Sequence, residues 1–301
     1  MKKTVLLFIA VFLFFIVPTV WASEGLNRVA ENVYAYTEAR EPSPANSFAA
    51  NAGVVVGRDG VLVIDTLISA KEARRLIGDI KKITDKPIKY VVDTHCHLDH
   101  AFGNSEFSKL GATIISQVND YKTMEKNSET AIGNAVKRGL PADLFDGTEI
   151  VLPAVTFTDR LTILLGGEKV ELIYPGPSHT SGSLLVYLPE RKVLFAGDVM
   201  FTGVHPFMGD GDIPGWAKAL DFIQSLDVTA IVPGHGPLSS KKDAADMKEY
   251  ILIFDQKAKE LASKSKNPEE IAAELKKVLP ARGVLESIII RNVQMKYLSA
   301  D

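Results

Sequence analysis

Residues 90–100 read Tyr-Val-Val-Asp-Thr-His-Cys-His-Leu-Asp-His, and this stretch decides how the rest of the chain is interpreted. Its first residues complete the apolar run Ile88–Val92, which has the composition of a buried β-strand. Four side chains that can bind a metal follow within six residues: His95, His97, Asp99 and His100. In an extended segment, side chains two positions apart point to the same side, so the first two histidines can share one metal. The last two ligands can turn toward a second metal.

Three further segments carry potential ligands at or near the ends of predicted strands. They are Pro-Ser-His-Thr at 177–180, Phe-Ala-Gly-Asp at 195–198 and Val-Pro-Gly-His-Gly at 232–236. The ligands of an α/β site converge at such strand ends. Five of the six histidines lie in these positions, and ordinary core packing does not require that clustering. The sequence therefore predicts one metal centre built from seven side chains: His95, His97, Asp99, His100, His179, Asp198 and His235.

Predicted strands and helices alternate around the ligand segments. Short β-rich runs occupy residues 33–36, 54–56, 61–64, 88–92, 112–116, 161–165, 169–174, 183–188, 192–196 and 229–232. Amphipathic helices are predicted over residues 69–83 and 214–226, and residues 117–150 have a weaker helical pattern. From Ser240 the apolar periodicity is helical, and a second helix is predicted after Asn267 as its N-cap. We expect an α/β catalytic domain over residues 23–239 and a C-terminal helical extension, residues 240–301, packed on it.

The N-terminal 22 residues have the organisation of a signal peptide. Lys2 and Lys3 precede an apolar run, and Val20 and Ala22 occupy the two positions that a signal peptidase reads. We expect cleavage after Ala22 and a periplasmic or secreted protein without stable membrane insertion. An uncleaved membrane anchor is the alternative, because about 20 apolar residues can span a bilayer.

Composition and charge limit the possible functions. The sequence is 46% hydrophobic and 24% charged, as in a globular protein rather than a disordered or fibrous one. Its formal net charge is −3 at pH 7, so we expect a small-molecule substrate and no nucleic-acid partner. Cys96 is the only cysteine, so the chain cannot form an internal disulfide.

In the ligand segments the sequence resembles the metallo-beta-lactamase superfamily. The resemblance extends over about residues 33–237 and includes Asn-Ala-Gly at 51–53 and the predicted strand that ends at Asp65. It implies a four-layer αββα sandwich with the metals at one edge. The resemblance also assigns the ligands: His95, His97 and His179 to a first zinc, Asp99, His100 and His235 to a second, and Asp198 as a bridge between them.

The ligand types indicate hydrolytic chemistry. Imidazole and carboxylate ligands suit zinc, with iron or manganese as alternatives. Two close dications lower the pKa of a shared water and polarise a carbonyl group. We therefore expect a zinc-dependent hydrolase that uses a metal-bound hydroxide to cleave an ester, thioester, lactone or lactam bond. Asp99 is the predicted catalytic residue that orients the water or receives its proton.

Asp198 indicates the branch of the superfamily. It resembles glyoxalase II, lactonases and related hydrolases, whereas many zinc beta-lactamases have cysteine at the corresponding site. Residues 199–207 lack the Gly-Cys-Gly-Arg-like segment of glyoxalase II, and residues 195–216 resemble exported zinc hydrolases associated with periplasmic quinoprotein systems. Beta-lactamase activity, primary or promiscuous, is one alternative. An oxidoreductase resembling persulfide dioxygenases, with iron at His95, His179 and Asp198, is another, and a non-catalytic zinc-binding protein is a third.

Several other polar residues near these segments have two interpretations each. Asp65 either orients a ligand imidazole or caps a strand. His205 is expected outside the metal set, with substrate contact as its possible role. Asp210 and Asp212, which have glycine neighbours, are predicted to shape a turn. Cys96 is expected to point away from the ligands and to pack as a small residue.

Overall fold

The computed structural model describes residues 25–37 and 41–298 of the chain. The predicted signal peptide, residues 1–22, lies outside the described residues. Within those two ranges, no helix is both long enough and apolar enough to cross a membrane.

Two β-sheets pack face to face at the centre of the fold. The first sheet has seven strands in chain order: β1 (Gly25–Ala30), β2 (Val33–Thr37), β3 (Ala52–Val56), β4 (Val61–Ile64), β5 (Ile88–Val92), β6 (Thr113–Gln117) and β7 (Val155–Phe157). The second sheet has the order β12-β11-β10-β9-β8 and contains β8 (Arg160–Leu165), β9 (Glu168–Ile173), β10 (Leu185–Leu188), β11 (Val193–Phe201) and β12 (Ala230–His235). Apolar side chains of both sheets, among them Ile64, Leu172 and Phe195, form one buried cluster.

The strand directions differ between the two halves of the first sheet. Strands β1 to β4 are antiparallel and β4 to β7 are parallel, while in the second sheet β11 and β12 form a parallel pair. Parallel strands present their carboxyl ends at the same edge of a sheet. The ends of β5, β11 and β12 can therefore bring together residues that are distant in sequence.

Helices cover the outer faces of both sheets. They are α1 (Ala70–Ile83), α2 (Leu98–Ala101), α3 (Asn104–Ser108), α4 (Val118–Asn127), α5 (Ala131–Lys137), α6 (Ile213–Ser225), α7 (Lys241–Ala262), α8 (Pro268–Lys276) and α9 (Ser287–Asn292). Helix α1 packs on the first sheet through apolar residues at helical spacing, such as Leu76 and Ile80. Helices α6 and α7 cover the second sheet through Trp216 and Phe254. This arrangement confirms the predicted αββα sandwich with C-terminal helices.

The predicted helix starts agree with the observed caps, whereas several short elements, among them β1, β7 and α9, are absent from the prediction. The Ser69 side chain accepts a hydrogen bond from the backbone of Glu72, and the Asn267 side chain caps α8. Strand β1 contains polar residues, β7 has three residues and α9 is a short apolar run, so none of them carries a clear periodic pattern. Strand β11 also extends beyond its predicted end to Phe201, and all nine of its residues are buried.

Arg282 connects the C-terminal helices to the segment that follows β11. Its guanidinium donates hydrogen bonds to the carbonyl oxygens of Phe201 (2.9 Å) and Val204 (2.8 Å). Its Cζ atom also lies 4.5 Å from the centroid of the Tyr250 ring in α7. The segment after β11 borders the site described below. The contacts of Arg282 therefore join the C-terminal extension, residues 240–301, to the edge of the domain that carries this site.

Replacement of Arg282 is expected to loosen this connection. The substitution Arg282→Met leaves two carbonyl oxygens without their donor and removes a cation–π contact, so we expect the free energy of unfolding to fall by about 2 kcal/mol. Urea denaturation followed by circular dichroism measures the change. Arg160→Met, at an exposed arginine of β8, is the control and should shift stability by less than about 0.5 kcal/mol. Equal midpoints for the two variants would contradict the role of Arg282.

Candidate metal centre

The seven predicted ligands meet at one edge of the two sheets. His95 and His97 follow β5, Asp99 and His100 lie in α2, His179 lies between β9 and β10, Asp198 lies in β11 and His235 ends β12. Their ligand atoms form two groups, each within 4.8 Å of one another: His95, His97, His179 and Asp198 in the first, and Asp99, His100 and His235 in the second. This is the division that the family resemblance implies.

Asp198 faces both groups, each with a different oxygen atom. Its Oδ2 atom is 3.6 Å from Nε2 of His95 and 3.3 Å from Nε2 of His179. Its Oδ1 atom is 3.2 Å from Nε2 of His100 and 3.5 Å from Nε2 of His235. Ligand atoms around a tetrahedral ion with bonds of about 2.1 Å are separated by about 3.4 Å. The observed spacings therefore suit a cation on each side of the carboxylate.

Asp65 lies behind the ligands and holds two of the imidazole rings. Its Oδ1 atom accepts a hydrogen bond from the backbone of Thr94 (2.7 Å), and its Oδ2 atom accepts from the Thr94 hydroxyl (2.8 Å). We assign protons to Nδ1 of His100, which then donates to Asp65 Oδ2 (2.9 Å), and to Nδ1 of His95, which donates to Thr94 Oγ1 (3.1 Å). Each ring then directs its Nε2 atom, the one that would bind a metal, toward the centre. The structure thus places Asp65 against a ligand imidazole.

Asp210 has a role that the sequence does not indicate. Asp210 lies in a turn, as predicted, and its Oδ2 atom also accepts a hydrogen bond from Nε2 of His97 (3.0 Å). The other ring nitrogen of His97, Nδ1, lies 2.9 Å from Nε2 of His179 and so points into the first group. The hydrogen bond from His97 lowers the pKa of the Asp210 carboxyl, so Asp210 is ionised near neutral pH. Asp212 instead caps α6 by accepting from the backbone of Gly215 (2.6 Å).

One ring nitrogen of His95, Nε2, provides a test of whether a metal fits the site. This atom is buried and has no hydrogen-bond partner among the described residues, although it lies inside the first ligand group. Buried polar atoms without partners are rare in native proteins. A cation bound by His95, His179 and Asp198 would coordinate this nitrogen. The imidazole and carboxylate donors are those that bind zinc, iron or manganese, so the residues fit a metal ion.

Burial keeps two of the histidines neutral. It lowers the pKa of His179 to about 3 and the pKa of His95 well below its usual value, even though Asp198 favours their protonated forms. Both rings therefore have an unprotonated nitrogen at neutral pH. They are suited to bind a metal without first losing a proton.

The other three histidines behave differently in the metal-free protein. Burial opposes their protonation, but nearby carboxylates, among them Asp198, outweigh it and raise the pKa of His97, His100 and His235. Metal-free protein therefore retains protons in the site at neutral pH. A metal ion must displace these protons, so its affinity is expected to fall as the pH falls.

A cavity of about 960 Å³ opens from the metal centre. His205 borders this cavity outside both ligand groups, and its Nδ1 atom lies 2.7 Å from the hydroxyl oxygen of Tyr250. Cys96 also borders the cavity and belongs to neither ligand group. Burial raises the pKa of the Cys96 thiol well above its usual value, so it stays protonated and is unsuited to act as a nucleophile.

The chain has relatives among characterised proteins. It is 27% identical to a linear primary-alkylsulfatase from Pseudomonas sp. over 255 residues, a match that covers 72% of this chain and 48% of that protein. It is 25% identical to a type 2 metallo-beta-lactamase from Elizabethkingia meningoseptica, with 78% of this chain and 87% of that one covered. The chain thus spans about half the length of the alkylsulfatase and most of the beta-lactamase.

Solved structures and a family model agree with these matches. A metallo-beta-lactamase from Pontibacter korlensis superposes with a TM-score of 0.62 at 22% identity, covering 75% of this chain and 98% of that chain. The DIM-1 metallo-beta-lactamase superposes with a TM-score of 0.60 at 19% identity, covering 75% and 96%. These likenesses show the fold. The model of the metallo-beta-lactamase superfamily matches residues 45–235, well over half of the sequence. The chain belongs to the metallo-beta-lactamase superfamily.

Proposed function

We propose that the protein is a two-zinc hydrolase that cleaves an ester, thioester, lactone or lactam bond of a small molecule. The observation that supports this most directly is the position of Asp198 between two groups of ligand atoms. A structural zinc is usually closed by four protein ligands, whereas here one carboxylate serves both groups and a cavity opens onto them. This arrangement leaves space for water and substrate beside the cations.

The second ligand group favours hydrolysis over the oxidoreductase alternative. A single iron held by His95, His179 and Asp198 would leave Asp99, His100 and His235 without a role, although their ligand atoms lie together. Two zinc ions would use all seven side chains. When bound, they would lower the pKa of a shared water and polarise the bond to be cleaved.

Asp99 is suited to guide a proton. It borders the cavity, and its Oδ2 atom lies 3.3 Å from Nε2 of His235. Burial alone would raise the pKa of this carboxyl, but the charge of His100 and the hydrogen bond from His235 lower it. Asp99 is therefore ionised at neutral pH. It can orient the attacking water and accept its proton.

His205 is proposed to contact the substrate. Burial raises the pKa of Tyr250, whose hydroxyl therefore stays protonated and donates to Nδ1 of His205. Burial also lowers the pKa of His205, so the ring is neutral and carries its proton on Nε2. The ring also has a hydrogen bond with the backbone of Arg282, so it is fixed at both sides and would contact the substrate through the part of the ring that borders the cavity.

Zinc-loaded protein should hydrolyse at least one compound in a panel of aryl ester, thioester, lactone and beta-lactam. Asp99→Asn keeps an oxygen ligand but cannot accept the proton, so we expect kcat to fall by about 100-fold or more. His97→Ala should be inactive because it removes a ligand, and Asp143→Asn, at an exposed carboxylate, should match the wild type. Metal analysis accompanies the assays. Protein with two bound zinc ions that cleaves none of the compounds, or native iron with oxygen uptake on persulfide addition, would overturn the proposal.

Substitution of His205 separates substrate contact from metal binding. His205→Phe should reduce kcat/KM by about tenfold or more at unchanged zinc content, because a phenyl ring lacks the hydrogen bonds to Tyr250 and Arg282 that fix the position of the ring against the substrate. Tyr250→Phe removes the hydroxyl that fixes the ring and should produce a smaller loss. Steady-state kinetics and zinc analysis of both variants test this role. Wild-type kcat/KM in the His205→Phe variant would exclude it.

A further inference from the structure

The cavity carries two arginines that the proposed hydrolysis does not use. Arg138 follows α5 and Arg291 lies in α9, so two separate segments each bring one guanidinium to the same cavity. Both residues are exposed. Across residues 25–37 and 41–298, no carboxylate lies within ion-pairing distance of either side chain. The charge of Arg138 helps to lower the pKa of Asp210, another residue of the cavity wall, but neither guanidinium forms an ion pair, so both can bind a ligand.

Arg291 lies close to the metal centre. Its Cζ atom is 5.5 Å from the centroid of the Phe207 ring, and that ring is 5.6 Å from the ring of His97 and 6.2 Å from the ring of His179. One aromatic ring thus separates the guanidinium from two predicted metal ligands. An arginine whose face lies over an aromatic ring retains N–H donors at its edge, which can form paired hydrogen bonds to an oxyanion.

The remaining wall of the cavity contains both polar and apolar side chains, and the apolar ones contribute the larger area. Its apolar side chains come from α2, α4, α5, α9 and the segments between helices and strands, and they include Phe48, Leu98, Phe102, Met124, Ile150 and Ile288. Such a surface binds hydrocarbon, because burial of apolar area is favourable. The cavity therefore combines an apolar surface with two unpaired cations.

The C-terminal part of this wall lies outside the family domain. The superfamily model ends at residue 235, whereas Ile288 and Arg291 lie in α9 and Leu285 lies just before it. Helix α9 is held on the domain by Ile289, which is buried in the same cluster as Trp216. The extension thus contributes directly to the site that receives substrate.

We propose that Arg138 and Arg291 form an anion subsite that selects substrates with a carboxylate or sulfo group joined to an apolar body. The acidic group binds the two guanidinium groups, the apolar body lies along the cavity wall, and the bond to be cleaved lies at the metal centre. This inference rests on the proposed hydrolase function and names the substrate class. The positive potential of both arginines also attracts anionic ligands into the cavity.

Binding without turnover tests the subsite. Zinc-loaded protein is titrated by calorimetry with octane-1-sulfonate and with the uncharged octan-1-ol. We expect the sulfonate to bind more tightly, and Arg138→Met and Arg291→Met to weaken its binding by about threefold to tenfold each, with little effect on octanol. Arg160→Met, which removes an exposed arginine outside the cavity, should bind both compounds as the wild type does. Added salt should weaken the binding of the sulfonate.

The double variant gives the decisive result. If Arg138→Met/Arg291→Met binds octane-1-sulfonate as tightly as the Arg160→Met control, the anion subsite is excluded. No bond is broken in this experiment, so its outcome is independent of the hydrolase proposal, which fails only in the activity panel.

Kinetics give a second readout on an active enzyme. A p-nitrophenyl ester of octanedioic acid with a free carboxylate is compared with its methyl-capped form. The wild type should prefer the free acid in kcat/KM, and the double variant should lose that preference by about tenfold or more. An unchanged preference would overturn the inference.

Discussion

The sharing of one carboxylate between two groups of ligands is the constraint on which the rest of the structure depends. Asp198 must lie where β11 passes between the loop after β5 and the end of β12, and two glycines make this approach possible. A Cβ atom at Gly234 would lie 1.9 Å from Asp198 Oδ1, and one at Gly197 would lie 2.5 Å from the hydroxyl oxygen of Thr94. Gly197 also has a positive φ of 47°, which glycine adopts at little cost. The close packing of the strands is therefore part of the metal centre.

Hydrogen bonds behind the ligands determine what the centre can bind. Asp65 and Asp210 hold the outer nitrogens of His100 and His97, so the inner nitrogens face one another at short distances. Such an arrangement of lone pairs and carboxylates is electrostatically unfavourable unless protons or cations lie between them. In the metal-free protein the same carboxylates raise the pKa of three of the histidines, because positive charge between the carboxylates is favourable. The same side chains can therefore hold either metal ions or, in the metal-free protein, protons.

The sequence was most informative where residues that can bind a metal lie next to a segment with a clear strand or helix pattern. The ligands could be predicted because each follows or ends an apolar strand, and α1 and α8 could be predicted from periodicity and capping residues. Asp210 could not, because its contact with His97 joins residues far apart in the chain and its Gly-Asp-Gly context is that of an ordinary turn. Helix α9 is too short for a periodic signal, so the approach of Arg291 to the cavity is visible only in three dimensions.

Zinc titration of metal-free protein tests the central claim most directly. Calorimetry at pH 7, in two buffers of different ionisation enthalpy, measures both the stoichiometry and the protons released. We expect two zinc ions per chain and net proton release, because the site carboxylates raise the pKa of His97, His100 and His235. We also expect Asp198→Ala to weaken binding at both sites and Asp143→Asn to leave it unchanged. Binding of a single zinc ion by the wild type, or two unaltered sites in the Asp198→Ala variant, would contradict a centre built on a shared Asp198.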